Sequence, residues 1–280
     1  MKKWRYLSFD TFDAFENMAI DEAIFHVCQR QEGCPILRFY GWERPSVSVG
    51  YFQNVVREIN VEFCRQSDIP FVRRPTGGKA VLHENDLTYA VVARQTHPLF
   101  CGGLLRTYQA VSECIAAGLA HIGIAADMFE EGRSAEAAGY EAMCFSAPSQ
   151  YELLVDEKKI CGSAQVRSKG AFLQHGSLLL DFDPLRTCRV LGTREEEPEA
   201  EASALNDTVT SVREFVQGHI GRGKLSSLLA AGFEEHLGVR LVEGRLTPEE
   251  ETVKKKLLER KYRTNRWNIE GKALEWISDE

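Results

Sequence analysis

The chain predicts an α+β fold, a mixed and largely antiparallel β-sheet flanked by helices. Three observations carry this. Short runs of β-branched and aromatic residues, each bounded by Gly, Pro, Asn or Asp, fill residues 36–94 and 151–182. Several of these runs are separated by only a few residues, the connection length of hairpins. Segments with helical spacing lie before, between and after them.

In chain order, Asp13-Ala-Phe-Glu16 has the form of a capping box and predicts a helix to about Gln31, burying Phe15, Met18, Ala19 and Phe25. Gly33 and Pro35 end it. "ILRFYGW" (36–42) and "SVSVGYF" (46–52) read as strands joined by a Glu-Arg-Pro turn, and "VEFCRQS" as a short helix. "PFVRRP" is a strand running into Thr76-Gly77-Gly78, and "AVLH" with "DLTYAVVA" a further strand pair. Residues 104–122 place Leu105, Tyr108, Val111, Ile115, Leu119 and Ile122 at steps of three and four, an amphipathic helix packed on a sheet. "YELLV" and "KICGSAQVR" are two strands around Asp156-Glu157-Lys158, and "AFLQHGSLLLDF" is another. The acidic "REEEPEAEAS" (194–203) reads as a solvated loop. Thr247-Pro-Glu-Glu250 caps a charged helix with Pro248 at its first position. Residues 1–245 read as the main domain and 246–280 as a small helical C-terminal appendage.

Composition narrows the function. A net charge of −7 argues against a general nucleic-acid binder. No apolar core follows the lysines of MKKWRYLSFD, so no secretory signal is expected, and no run of about 18 apolar residues predicts a membrane span. The expectation is a cytoplasmic monomer. The eight cysteines are scattered without a Cys-x-x-Cys pair. They read as reduced thiols, and neither Cys nor His has the spacing of a metal site.

Four stretches could carry chemistry. In "RRPTGGKAVLH" (73–83) two arginines precede two glycines; the glycines let backbone approach a ligand, and successive N–H groups there can hold an oxyanion. The same residues also suit a hairpin turn with surface arginines, and His83 a satisfied core histidine. "GHIGRGKLS" (218–226) approaches a P-loop, but Leu225 stands where the Mg²⁺-binding Ser/Thr belongs, and the segment reads as a connector. In "KKICGSAQ", Lys159 begins a strand and could stabilise a thiolate or polarise a carbonyl, with a solvent-exposed strand lysine as the plainer alternative; Lys158 fits the turn, and Cys161 packs inward. Cys144 lies among small residues and Pro148, in a loop where a thiol can be accessible and reactive; an inert thiol is the plainer alternative.

Together these stretches resemble the lipoate/biotin protein ligase superfamily. "RRPTGGKAVLHENDLTYAVV" is similar to its Arg-Arg-x-Ser/Thr-Gly-Gly-x-Ala-Val-x-His motif, with Lys79 where Arg or Gly is common. "KKICGSAQ" is similar to its Lys-[Ile/Val]-x-Gly-Ser-Ala motif, and "HGSLLLDFD", "TSVREF" and "KYRTNRWN" to later segments. Within the superfamily, "CFSAPSQYEL" resembles the LipM-type octanoyltransferases, which carry a nucleophilic cysteine ahead of the lysine strand. The LipB-type Pro-Cys-Gly context does not occur, since Cys188 sits in "RTCRV".

The resemblance implies the biotin/lipoate protein ligase catalytic-domain fold and an acyltransferase of lipoate biosynthesis. Cys144 would take octanoate from octanoyl-acyl carrier protein as a thioester and pass it to a lysine of a lipoyl-domain protein, such as the glycine-cleavage H protein. Neither ATP nor metal is implied. Lys159 would favour the thiolate. Arg73, Arg74, Gly77, Gly78 and the Gly162-Ser163-Ala164 backbone would line the acyl and oxyanion region, with His83 and His175 shaping it. Residues of "SVSVGYF" and the 71–90 strands would wall the acyl tunnel, and Arg73 and Arg74 would receive the carriers. The alternatives on the same fold are an ATP-dependent lipoate ligase, a lipoyl-domain amidotransferase and a carrier-binding relative without chemistry.

Overall fold

The structure is a computed structural model and describes residues 2–128, 152–192 and 198–272. The strands are β1 (Lys2–Phe12), β2 (Ile36–Trp42), β3 (Ser46–Val49), β4 (Phe71–Arg73), β5 (Val81–His83), β6 (Asp86–Arg94), β7 (Asp127–Met128), β8 (Leu153–Val155), β9 (Lys158–Ser168), β10 (Ala171–Leu179) and β11 (Val239–Glu243). The helices are α1 (Ala14–Arg30), α2 (Val55–Glu58), α3 (Val61–Gln66), α4 (Gly103–Ala120), α5 (Pro184–Leu191), α6 (Pro198–Thr208), α7 (Arg222–Leu237), α8 (Pro248–Leu257) and α9 (Asn265–Asn268). An eight-stranded sheet runs β11-β1-β2-β6-β10-β9-β8-β7, and a three-stranded sheet runs β4-β3-β5. β1 is parallel to β11 and β2, while the other neighbours in the large sheet are antiparallel.

β2, β6 and β10 are buried along nearly their whole length because helices cover both faces. Alternation sorts their side chains. Leu37, Phe39, Tyr89, Val91, Ala93 and Phe172 join the cluster of α4 and α7. Ile36, Tyr40, Ala90, Val92, Ala171 and Leu173 join that of α1 and α8. α1 starts where Asp13 accepts the Glu16 amide at 2.7 Å. α4 and α7 cross closely: a Cβ at Gly232 would lie 2.4 Å from the Gly118 nitrogen.

Several sequence expectations change. "AVLH" and "DLTYAVVA" are not partners: β5 pairs with β3 in the small sheet, and β6 with β2 and β10 in the large one. The chain between His83 and Asp86 therefore crosses from sheet to sheet, and β2 and β3 likewise separate. The 46–52 strand stops at Val49, because Gly50 lies against the Gly78 carbonyl, where a Cβ would come within 1.9 Å of the oxygen. Lys158 opens β9, just after the turn residues Asp156 and Glu157, both at positive φ. The acidic segment is not a loop from Pro198 onward. Pro198 and the acidic first turn suit a helix N-terminus, and Ala202 and Leu205 bury against Cys188 and Val209. The 218–226 connector ends at Gly221, and Arg222 begins α7.

The C-terminal segment packs into the α1 side of the molecule. α8 carries the expected capping box between Thr247 and Glu250. Leu257, Tyr262 and Trp267 lie in the same core cluster as Met18 and Ile24. Lys261 Nζ donates to both oxygens of buried Glu22, at 2.6 and 2.7 Å, and the Tyr262 hydroxyl donates to the same carboxylate. Lys261 overcomes the effect of burial and holds the Glu22 carboxyl down at about 2.

Candidate active site

On the α1 face of the large sheet, side chains turn from apolar to polar along the strands. β10 presents Ala171 and Leu173, then His175 and Ser177; β6, running antiparallel, presents Val92 and Ala90, then Thr88 and Asp86. The small sheet closes over this polar end, bringing Ser48 and His83 to it. The cleft between the sheets holds about 790 Å³ out to its open mouth. Arg74, Gly78, Glu152, Ala164, His175 and Ser177 are among the residues of its wall.

Two matching relays reach the cleft. His83 Nδ1 lies 2.7 Å from Asp86 Oδ2, and its Nε2 lies 2.8 Å from Ser48 Oγ. His175 Nδ1 lies 3.1 Å from Asp21 Oδ2, and its Nε2 lies 2.7 Å from Thr76 Oγ1. A carboxylate only accepts, so each Nδ1 carries a proton toward its carboxylate, and in neutral His175 the Nε2 accepts from the Thr76 hydroxyl. Burial pushes His175 below the ordinary imidazole range, which keeps it neutral. Burial alone would raise Asp21, but Arg38, 2.6 Å away, and His175 outweigh it and hold the carboxyl low. Asp86 is held low in the same way by His83, Ser177 and Thr88 against its burial. The His83 ring also stacks on Trp42 at 3.9 Å.

The glycine turn is clamped by Arg74. Its Nη2 donates to the Gly77 and Lys79 carbonyls at 2.8 and 2.7 Å, and its Nη1 to the Ser48 carbonyl at 3.0 Å. Gly78 has φ +88°, and a Cβ there would lie 2.8 Å from Arg74 Nη2, so glycine is required on both counts. His175 fixes Thr76 at the other end of the turn.

Opposite this turn, β9 brings Gly162, Ser163 and Ala164 to the cleft. Lys159 is buried, and its Nζ donates to Glu152 at 2.8 Å. Its stem packs against Gly162, where a Cβ would meet Lys159 Cε at 3.0 Å. The Ser163 hydroxyl is bound to the Tyr89 hydroxyl at 2.7 Å, and a Cβ at Gly176 would strike both groups. Cys161 packs inward, with burial pushing its thiol up to about 12, so it is no nucleophile.

The expected site residues thus divide. Arg74, Gly78, His83, Gly162, Ser163, Ala164 and His175 line one cleft, with Gly77 in its clamped turn and Lys159 packed behind Gly162. Cys144 lies outside the described residues. Arg73 is a correction: it is not among the residues of the cleft wall, and its side chain is spent on backbone carbonyls of 50–53 and 267–269. Arg73 and Arg74 are both buried and offer no landing surface. Of "SVSVGYF", Ser48 reaches the cleft, whereas Phe52 is 88% exposed. Asp21 and Glu152 are absent from the expected residues, while Ser48 and Asp86 belong to the stretches expected to wall the site without being singled out. Asp21 left one signal, a charge in the buried stripe Met18, Asp21, Phe25 of α1. Glu152 shows itself only through the pairing of β8 with β9, which brings it to Lys159.

The sequence pattern of the lipoyl protein ligase A/B catalytic domain family matches residues 13–234. Octanoyltransferase LipM of Kyrpidia tusciae is 39% identical over 272 residues, covering 96% of this chain and 99% of that protein. Octanoyltransferase LipM of Bacillus subtilis is 35% identical over 270 residues, covering 95% and 97%. Among solved structures, lipoate-protein ligase A bound with ATP superposes with a TM-score of 0.78 at 28% identity, covering 96% of this chain and 99% of that one. A bipartite lipoate protein ligase from Thermoplasma acidophilum gives 0.82 at 26% identity, covering 99% of each.

Proposed function

This chain belongs to the lipoyl protein ligase A/B catalytic domain family, and from that premise we propose that it is an octanoyltransferase of lipoate biosynthesis, acting from octanoyl-acyl carrier protein to a lipoyl-domain lysine. The observation that carries the reading is similarity to octanoyltransferases along 95–96% of the chain at 35–39% identity. The cleft suits the chemistry. It has a clamped glycine turn, a strand of small residues opposite, and a lysine–carboxylate pair behind that strand.

In the proposed reaction the Cys144 thiolate attacks the donor thioester. Its sulfur–carbon bond forms as the carrier's breaks, and the carrier leaves as a thiolate that takes up the proton Cys144 gave up. The neutral amine of the acceptor lysine then attacks the enzyme thioester. The amide bond forms, the Cys144 sulfur leaves, and the proton shed by nitrogen returns to sulfur. Lys159 supplies positive charge that favours the thiolate, and Glu152 orients it. Backbone N–H groups of the glycine turn and of β9 receive the developing oxyanion, while His175 holds the turn through Thr76 and His83 holds Ser48, which Arg74 also binds. The activation comes from the thioester, so the reaction calls on neither ATP nor metal. Among the described residues no helix is long and apolar enough to cross a membrane, and the proposed setting is the cytoplasm.

Intact-mass measurement tests this. Octanoyl-acyl carrier protein should leave one octanoyl adduct on the wild type and none on Cys144→Ala; an adduct persisting in Cys144→Ala refutes the nucleophile. One second reading has support, an ATP-dependent ligase, from the likeness to lipoate-protein ligase A. It prevails if a lipoyl domain is modified only with free lipoate and ATP.

A further inference from the structure

An exposed apolar platform adjoins the glycine turn of the cleft. Phe52 is 88% exposed, Val56 69%, Ile269 43% and Tyr51 38%. They come from two separate chain segments, 51–56 and 269. One buried group joins those segments. Arg73 Nη1 donates to the carbonyls of Gly50, Tyr51 and Gln53 at 2.8–3.0 Å. Its Nε and Nη2 donate to those of Trp267, Asn268 and Ile269 at 3.1–3.2 Å. The Tyr51 ring is edge-on to Phe52 at 4.8 Å and to Trp267 at 5.7 Å. The apolar groups are therefore held at a fixed place on a rigid frame, and their exposure gives the folded chain nothing in return.

The platform adjoins the reacting region. The Tyr51 amide donates to the Thr76 carbonyl at 2.8 Å, and Gly50 lies against the Gly78 carbonyl. Its charge is opposite to that of the chain. Arg57 and Arg266 are exposed beside it, and Lys79 follows the glycine turn. Of the neighbouring acids, Glu270 pairs with Lys272 at 3.1 Å, while Glu58 accepts from the neutral Gln53 amide at 2.6 Å and keeps its charge, so the basic groups Arg57, Arg266 and Lys79 outnumber it. The chain as a whole carries −7. A partner for this surface has an apolar contact at its centre and acidic groups around it.

We infer that the Tyr51-Phe52-Val56-Ile269 platform is the docking surface for the acceptor, an acidic folded domain that presents the lysine to be acylated. This rests on the transferase reading. Reach selects acceptor over donor. A lysine carries its amine on a four-carbon stem, so its domain must sit close to the cleft, and this platform adjoins the cleft's glycine turn. A donor whose thioester is carried on a longer arm has no such need.

The test uses the full chain, octanoyl-acyl carrier protein as donor and a lipoyl domain as acceptor. Phe52→Ser and Arg57→Glu alter exposed side chains and should leave thermal unfolding unchanged. Phe52→Ser should raise KM for the lipoyl domain about tenfold or more, with kcat and the rate of enzyme octanoylation within about twofold of wild type. Arg57→Glu should raise the same KM by a smaller factor and flatten its salt dependence. Equal loss in the donor half-reaction would assign the platform to the donor and overturn the proposal. Failure of the transferase reading appears separately, as a wild type that forms no octanoyl adduct. Calorimetric binding of the unmodified lipoyl domain then decides docking by itself: equal Kd for wild type and Phe52→Ser overturns it.

Discussion

Arg73→Lys keeps the charge and removes the fork, and the structure allows its cost to be worked out. The Arg73 guanidinium serves six carbonyls, of which those of Gly50, Trp267 and Asn268 are bound in fully buried contacts. The other three, of Tyr51, Gln53 and Ile269, are partly open to water. A lysine has three N–H donors in place of five and no planar spread. It cannot reach both the 50–53 and the 267–269 groups. One or two buried carbonyls then lose a charge-assisted bond, each worth about 1.5–3 kcal/mol, while the half-exposed ones find water. The expected loss is about 3 kcal/mol, a large part of a usual total of about 5–15. The backbone bonds of Arg73 survive in the variant: its amide to Asn268 Oδ1 at 3.0 Å, and Trp267 Nε1 to its carbonyl at 2.8 Å. The substitution therefore isolates the side chain. Urea unfolding followed by tryptophan fluorescence reads the change, with Arg44→Lys as a surface control. The Arg44–Asp68 pair is exposed and should cost under about 0.5 kcal/mol. An Arg73→Lys loss within about 1 kcal/mol of zero would refute the clamp.

Two further outcomes are expected. Stability should fall on acidification below about pH 6.5, because buried His175 stays neutral in the fold while the unfolded chain takes up a proton. Glu22, held at about 2 against an ordinary 4.5, contributes stability above 4.5 that is lost between there and about 2. Urea midpoints measured from pH 7 to 3 check this, and Glu22→Gln should flatten the lower part of the curve; a rise in stability between pH 7 and 5 would contradict it. A chain ending at residue 245 should fail to unfold cooperatively and should bind a hydrophobic dye, since it lacks Leu257, Tyr262 and Trp267 and leaves Glu22 without Lys261. A cooperative melt of that fragment would show that 246–280 is a dispensable appendage.

What the sequence determined by itself was local. Period-two and period-3.6 patterns, caps and turn residues give α1, α4 and α8 and most of the strands, because these depend on neighbours a few residues apart. The motifs around residues 73–83 and 158–165 singled out both walls of the cleft before their distance was known. Tertiary structure decided partnership. β5 and β6 look like a hairpin but serve different sheets, since hydrogen bonding between strands leaves no mark in either strand alone. Arg73 and Arg74 are adjacent and alike in sequence. One folds inward to hold two turns under an exposed platform, and the other clamps the glycine turn inside the cleft. Asp21 reaches His175 only once α1 packs on the large sheet, whereas Asp86 meets His83 three residues earlier in the chain. A charge as deeply buried as Asp21 is tolerated only where packing supplies its partner, and His175 is fixed there by three-dimensional contact, not by spacing along the chain.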